Sequence, residues 1–208
     1  MIHHYTSVPT LACILKSSKI RFSRFDTFDD ALEAQAHAGV SFGTQMFASC
    51  WVKNDEEEIA QWAMYGDRMA GVRISLRDDP FVWTVLDGVI QIPGTTAKWQ
   101  FDRVEAPFTL AEMFGDGYWL NPAYFCRTTF GKEVVYVPDV SAVYREAVQA
   151  SGGVVIMSPP PIELARYKSD KWKFQKEHRF ILTASRAPAL HRSSAVTPRS
   201  ASRSWNET

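Results

Sequence analysis

Met46-Phe-Ala-Ser-Cys-Trp-Val52, Asn54-Asp-Glu-Glu57, Ile59 to Gly66 and Gly71-Val-Arg-Ile-Ser-Leu76 follow one another in the chain, and their alternation decides the fold class. The first is a short apolar run of strand length and reads as a buried strand. Asn54 with Glu57 three residues on has the spacing of a capping box, and Asp55 and Glu56 suit the positive end of a helix dipole. A helix is therefore predicted from this cap through Ile59, Trp62 and Tyr65 to a stop at Gly66, with Trp62 and Tyr65 on one face. Gly71 to Leu76 alternates like a half-buried strand.

Towards the N-terminus, Ile2 to Thr6 reads as a strand, and Ser7 caps a helix entered through Pro9 with an apolar stripe at Leu11, Ile14 and Leu15. Ile20-Arg-Phe-Ser23 alternates like a strand, and Asp26-Thr-Phe-Asp-Asp30 is a turn or cap before Ala31 to Ala38. Towards the C-terminus, strands are predicted at Phe81 to Ile92, Trp99 to Val104 and Val134 to Val137, then a helix over Val140 to Gln149 stopped by Gly152-Gly153. Ser158-Pro-Pro-Pro161 breaks the chain before an amphipathic stretch from Ile162 to Tyr167. Lys171 to Lys176 leads into a last strand, His178 to Leu182. Strands and helices intersperse without a βαβ rhythm or repeat, which predicts an α+β fold with a compact mixed or split β-sheet and flanking helices.

The 208 residues suit one domain with an appendage, and 46% apolar against 22% charged residues is ordinary globular composition. With 23 basic and 23 acidic residues, the chain is not a wholly basic nucleic-acid module. Ser185 to Thr208, however, carries Arg186, Arg192, Arg199 and Arg203 against Glu207 alone. We therefore divide the chain into a mildly acidic globular domain, 1–184, and a basic, Ser-rich tail, 185–208, too poor in apolar periodicity to fold alone. Cys13, Cys50 and Cys126 have neither disulfide nor zinc spacing and read as buried small hydrophobes. No apolar run is long enough to span a membrane and no leader pattern precedes the first strand, so a cytoplasmic setting is the expectation.

No Gly-rich nucleotide fingerprint, phosphate loop, nucleophile elbow or zinc helix is present. What does recur is a series of spaced motifs: His4-Tyr-Thr-Ser7, the Leu11 to Lys16 helix, Ile20-Arg-Phe-Ser-Arg-Phe-Asp26, Phe47-Ala-Ser-Cys-Trp51, Gln61-Trp-Ala-Met-Tyr-Gly-Asp67 with Gly71-Val, and Trp172-Lys-Phe-Gln-Lys-Glu-His-Arg-Phe180. In this order they resemble the bacterial family known as domain of unknown function 2971, over about residues 2 to 182. The family commonly has Glu where this chain has Gln175.

The same order is similar to that of ADP-ribosyltransferase folds, with a His on an early strand, a Tyr on a helix after a later strand and a Glu beside a strand near the end. That resemblance implies an NAD-binding domain that cleaves the nicotinamide–ribose bond and transfers ADP-ribose to a protein, nucleic acid or water. It implies that His4 bonds a ribose, Tyr65 stacks on nicotinamide, and Glu177 holds the nicotinamide ribose hydroxyl. Thr6 and Arg24 belong to the same ligand site, and no metal is implied. Gln175-Lys-Glu177 looks like a Gln-x-Glu pair in which Gln175 helps choose the acceptor, and strand alternation would put the two side chains on one face. The adjacent His3 and His4 point oppositely in a strand, and the motif position selects His4.

Plainer readings stand beside these. His4 can bond a neighbouring backbone, Trp62 and Tyr65 can be core, and Glu177 with Arg179 can be a structural ion pair. Asp26, Asp29, Asp30 and Glu33 have the composition of a metal cluster but the position of helix caps. The alternatives to the transferase are a non-enzymatic binding module of a defence or toxin system, and a Mg²⁺-dependent nuclease. The nuclease would use Asp26 or Asp30 with Glu177 and a basic partner, Lys176 or Arg179.

Overall fold

In a computed structural model, which describes residues 1–186 apart from 35, 38, 40, 42, 92–95, 97, 116, 122–125, 129, 152 and 153, the chain opens on β1 (Ile2–Thr6), α1 (Val8–Ser17) and β2 (Ser23–Arg24). Two 3-10 turns, Phe25–Thr27 and Ala31–Ala34, lead to β3 (Met46–Val52), α2 (Ile59–Tyr65) and β4 (Val72–Leu76). The long hairpin of β5 (Thr84–Gln91) and β6 (Lys98–Ala106) precedes α3 (Leu110–Met113) and the short strands β7 (Phe114–Gly115), β8 (Tyr118–Leu120), β9 (Gly131–Glu133) and β10 (Val135–Val137). α4 (Val140–Ala147), β11 (Val148–Ser151), β12 (Val154–Met157), α5 (Pro161–Leu164) and β13 (Tyr167–Ser169) follow. A 3-10 turn at Asp170–Gln175 then delivers β14 (Glu177–Arg186).

The fold is α+β. Its main sheet is antiparallel in the order β4-β1-β3-β14-β8-β7, with β2 also on β3 and β9 also on β14. β3 and β14 are its spine, in register from Glu177↔Val52 to Thr183↔Met46. On the other side of β3, the sheet opens. β1 lies along all of β4 but registers with β3 at His3↔Val52, while β2 takes the far end of β3 at Ala48 and Phe47. Between these two attachments, Ser49, Cys50 and Trp51 form a stretch of edge in register with neither neighbour.

Alternation along the spine divides the core. Ala48 and Ile181 point into one cluster with Phe25, Val140, Tyr144 and Leu164. Trp51, Phe180 and Leu182 point into the other, which the β5–β6 hairpin covers through Leu86 and Phe101. Each strand side chain thus has a packed face to enter, which is why these apolar runs hold as strands.

The structure differs from the sequence reading at several boundaries. α2 starts at Ile59 with Glu58 at its N-cap, and Asn54 does not cap it. Asn54 instead accepts from Glu56 N–H at 3.2 Å and donates to Glu58 Oε1 at 2.7 Å, while Glu58 N–H is drawn to Tyr5 Oη at 3.2 Å. A tertiary acceptor thus outcompetes the local cap. Ile20 to Phe22 is not strand, and Val148 and Gln149 leave the predicted helix for β11. β14 runs past Ala184, where Ser185 and Arg186 pair with Trp119 and Tyr118. Ala38, Ile92, Gly152-Gly153 and residues 187–208 lie outside the described residues. Among the described residues, no helix is long and apolar enough to cross a membrane.

Candidate functional site

A cavity of about 260 Å³ lies at the uncovered edge of β3, and His4, Cys50, Tyr65, Lys168, Gln175 and Glu177 are among its walls. The volume lies just below the range of about 300–1,000 Å³ usual for small-molecule sites.

His4 stands in the gap itself. Its ring Nδ1 lies 2.8 Å from the Cys50 carbonyl oxygen, so Nδ1 carries the proton and donates. That bond replaces the ladder contact the opened sheet lacks, and the ring packs 5.1 Å from Trp51. Burial pushes the imidazole below its ordinary value, against the opposing pull of the Cys50 bond. A neutral ring with Nδ1 protonated leaves Nε2 as an acceptor, the right polarity for a ribose hydroxyl. His3 also lines the cavity, but its nitrogens are taken by Ser75 Oγ at 2.8 Å and Asp55 Oδ1 at 3.4 Å.

Tyr65 enters from the end of α2. Its hydroxyl accepts from Gln175 Nε2 at 2.8 Å and donates to Asp29 Oδ2 at 3.0 Å, so the ring is pinned between the 170–175 turn and the 25–34 segment. Burial raises the phenol above its ordinary value, and the neighbouring Asp29 charge adds to this. Gln61, one turn earlier and also lining the cavity, donates to the Gln175 carbonyl at 2.9 Å. Trp62 departs from the shared face expected of it, packing edge-on against Tyr5 at 5.0 Å. The helix therefore gives Gln61 and Tyr65, four apart, to the cavity and turns Trp62 to Tyr5.

Gln175 and Glu177 do reach the same cavity, but not by strand alternation. Gln175 closes a 3-10 turn, Lys176 takes a left-handed conformation (φ 47°), and Glu177 is the first residue of β14. The left-handed residue swings the chain so that the flanking side chains converge, while Lys176 itself turns outward to pair with Glu58 at 2.6 Å. Gln175 is 1% exposed, and its Oε1 is buried with no hydrogen-bond partner among the described residues.

Glu177 ends in a buried ion cluster. Arg179 Nε donates to its Oε1 at 2.7 Å and Arg179 Nη2 to its Oε2 at 2.9 Å, while Lys168 Nζ reaches Oε2 at 3.0 Å. Glu33 closes the square, with Lys168 at 3.2 Å and in an ion pair with Arg179. Two acids and two bases thus cancel in the interior. Arg179 also lies over the rings of Phe25 and Phe28 at 5.3 and 5.5 Å, and Lys168 over Trp172 at 5.2 Å. Burial opposes the charge on Glu177, but Arg179 and Lys168 outweigh it and hold the carboxyl down at about 2. Glu33 goes the other way, its burial raising it despite the same two cations. Burial pushes the Cys50 thiol well up, and the Glu177 charge adds to that, so the thiol is held in its protonated form.

The predicted set therefore divides. His4, Tyr65, Gln175 and Glu177 share one cavity, whereas Thr6 and Arg24 are outside its lining. Thr6 is buried opposite Val72 in the β1–β4 ladder, and Arg24 on β2 pairs with Asp26 at 2.5 Å. Arg21 is the arginine that lines the cavity. Lys168, Gln61 and Arg21 line the cavity too, and nothing local to Tyr167-Lys-Ser169 marks a buried lysine. The proposed metal-binding acids disperse: Asp26 is paired, and Asp30 Oδ1 accepts from Leu32 N–H at 3.0 Å. Among the described residues no three His, Cys, Asp or Glu side chains group as metal ligands.

No family profile matches the chain, and neither a curated protein nor a solved structure matches it.

Proposed function

We propose that the cavity is the nicotinamide-ribose site of an ADP-ribosyltransferase-like domain. The observation that carries the reading is that His4, Tyr65 and the Gln175–Glu177 pair, from three separate parts of the chain, line one cavity. His4 Nε2 accepts a ribose hydroxyl, and the Tyr65 ring offers an aromatic face to the flat, cationic nicotinamide. Glu177, ionised at any physiological pH, supplies negative charge where positive charge develops on ribose C1′. Breaking the C1′–N bond leaves its electron pair on the nicotinamide nitrogen, which becomes neutral. The acceptor then bonds to C1′ and releases its proton. Gln175, fixed by Tyr65 and with a buried Oε1 that has no partner among the described residues, orients the acceptor.

The ion cluster favours a second reading, a domain that binds the same ligand without cleaving it. Three donors already occupy the Glu177 oxygens, so its charge is largely answered within the protein. The two readings separate when the protein is incubated with NAD and cell extract, and free nicotinamide and transferred ADP-ribose are measured. Transferase activity predicts release by the wild type, reduced at least about 100-fold in Glu177→Gln, the scale of losing one preorganised electrostatic group. Absence of release, or equal release by both proteins, overturns catalysis. NAD binding without release upholds the binding module.

A further inference from the structure

β14 meets the cavity at one end only. Its ten residues span about 30 Å, from Glu177 at the cavity to Arg186 at the far end. There Arg186 is in register with Tyr118 of β8, which sets a guanidinium and a phenol side by side on one face of the sheet. Tyr118 is 42% exposed, yet its ring is held in place, because it lies over Gly115, where an added Cβ would collide with it. On the other face of β8, Trp119 packs 4.3 Å from Trp99 of β6, and Trp99 lies 6.4 Å from Phe114. The strand that presents Tyr118 is thus anchored by aromatic packing, and the exposed ring is a supported one.

The charge at this end is basic. Arg186 and Lys98, which precedes Trp99, are exposed and form no ion pair among the described residues. Glu112 on α3 is already answered by Lys19 at 3.4 Å and by its own capping box, and Asp116 lies outside the described residues. The 22 residues that follow Arg186 add Arg192, Arg199 and Arg203, each beside a serine, against Glu207 alone. Even fully extended they reach at most about 75 Å from Arg186, so their charge is tethered to this end of the sheet. A supported ring beside a guanidinium, continued by a run of spaced arginines, fits a flexible polyanion that carries flat rings. A duplex keeps its base faces within its own stack and a lipid surface has none, so the ring favours a single strand.

We propose that this end of the sheet binds single-stranded nucleic acid, with a base stacked on Tyr118, a phosphate on Arg186 and the phosphates beyond it on Arg192, Arg199 and Arg203. The ring supplies preference for an unpaired strand, and the four arginines supply affinity by releasing the strand's counterions. The surface is independent of the cavity and of the reaction assigned there.

Fluorescence anisotropy of the full chain with a labelled oligothymidine of about 20 nucleotides, and with its duplex, tests this in the wild type and in variants whose folding is checked by melting curves. With four arginines on phosphates, single-strand affinity should fall about 50-fold between about 50 and about 200 mM salt. Replacing Arg192, Arg199 and Arg203 together by Gln should flatten that fall to about threefold. Tyr118→Leu keeps apolar bulk over Gly115 and loses the ring, so it should weaken the single strand about 10-fold, leave the duplex within about twofold and keep the salt dependence. Arg186→Gln, which should reduce the salt dependence to about 20-fold, serves if Tyr118→Leu melts early. No anisotropy change up to about 100 μM protein at the lower salt overturns the proposal, and so does an affinity for strand and duplex that is equal and unmoved by Tyr118→Leu. Co-sedimentation with phosphatidylserine vesicles that the oligothymidine does not compete away assigns the surface to lipid and overturns it as well.

Discussion

The floor of the cavity and its waist, where His4 and Arg21 stand, are built on opposite principles. At the floor, Glu33, Lys168, Glu177 and Arg179 answer one another's charge in the interior, and the aromatic rings of Phe25, Phe28 and Trp172 cover the two cations. At the waist, His4 keeps one nitrogen for the Cys50 carbonyl and turns the other to no partner among the described residues, and Arg21 makes no ion pair among them. Satisfied charge is architecture, because removing one member strands the others without water. Unsatisfied donors and acceptors at an opening are binding capacity, since a ligand replaces the water they hold.

That contrast breaks most directly at Arg179. Replacing it by Met leaves two buried carboxylates sharing Lys168, and we expect a loss of about 3–5 kcal/mol in urea unfolding. A loss below about 1 kcal/mol would mean that water reaches the floor and that it belongs with the waist. The charge-balanced pair Glu33→Leu with Lys168→Met should cost much less than Lys168→Met alone, because it strands no charge.

Acid tests the same floor without mutation. Glu177 falls from its ordinary 4.5 to about 2 in the folded chain, so between those values the unfolded chain binds more protons. Its contribution is complete above about pH 4.5 and is lost as the pH falls towards 2. Burial depresses His4 and His178, which subtract stability in the same direction as the pH drops below their ordinary 6.5, while Glu33, raised by burial, pulls the other way. Unfolding free energy measured from pH 5 to 2 should fall steeply in the wild type and more gently in Glu177→Gln. Parallel slopes would deny Glu177 its clamp.

At the waist, stability and binding should separate. His4→Ala removes one hydrogen bond to Cys50 and should cost about 1 kcal/mol of stability, but about 10-fold in NAD affinity by titration. A cost near that of Arg179→Met would make His4 part of the architecture. The smallest effect is expected for Tyr65→Phe. It keeps the ring and breaks the link between Gln175 and Asp29, so melting should shift by a few degrees at most while NAD affinity holds within about threefold. A larger affinity loss would move the recognition from the ring face to the hydroxyl.

Much of this was legible from short patterns. Ser7 does cap α1, its Oγ accepting from Thr10 N–H at 3.2 Å, and the stretches Ile2 to Thr6 and Met46 to Val52 are strands with the predicted bounds. Motif order points to His4, Tyr65, Gln175 and Glu177, and they share a cavity. The plainer readings of two of them hold as well, since His4 does bond a backbone carbonyl and Glu177 does pair with Arg179. The Asn54 cap failed because Tyr5, nearly fifty residues earlier, supplies the acceptor that Glu58 N–H uses. Arg24 lies outside the cavity and Arg21 lines it, because motif position carries no information about which arginine faces an opening.

The sequence by itself determined the α+β alternation, the strand spine and the residue types gathered at the site, because hydrophobic period and capping chemistry act over a few residues. Only the tertiary structure decided where β1 parts from β3, which carbonyl His4 answers, and that Lys168 and Glu33 share the floor with Glu177 and Arg179. Those are contacts between distant segments, set by which charges the packed core shuts away from water, and no local pattern encodes them.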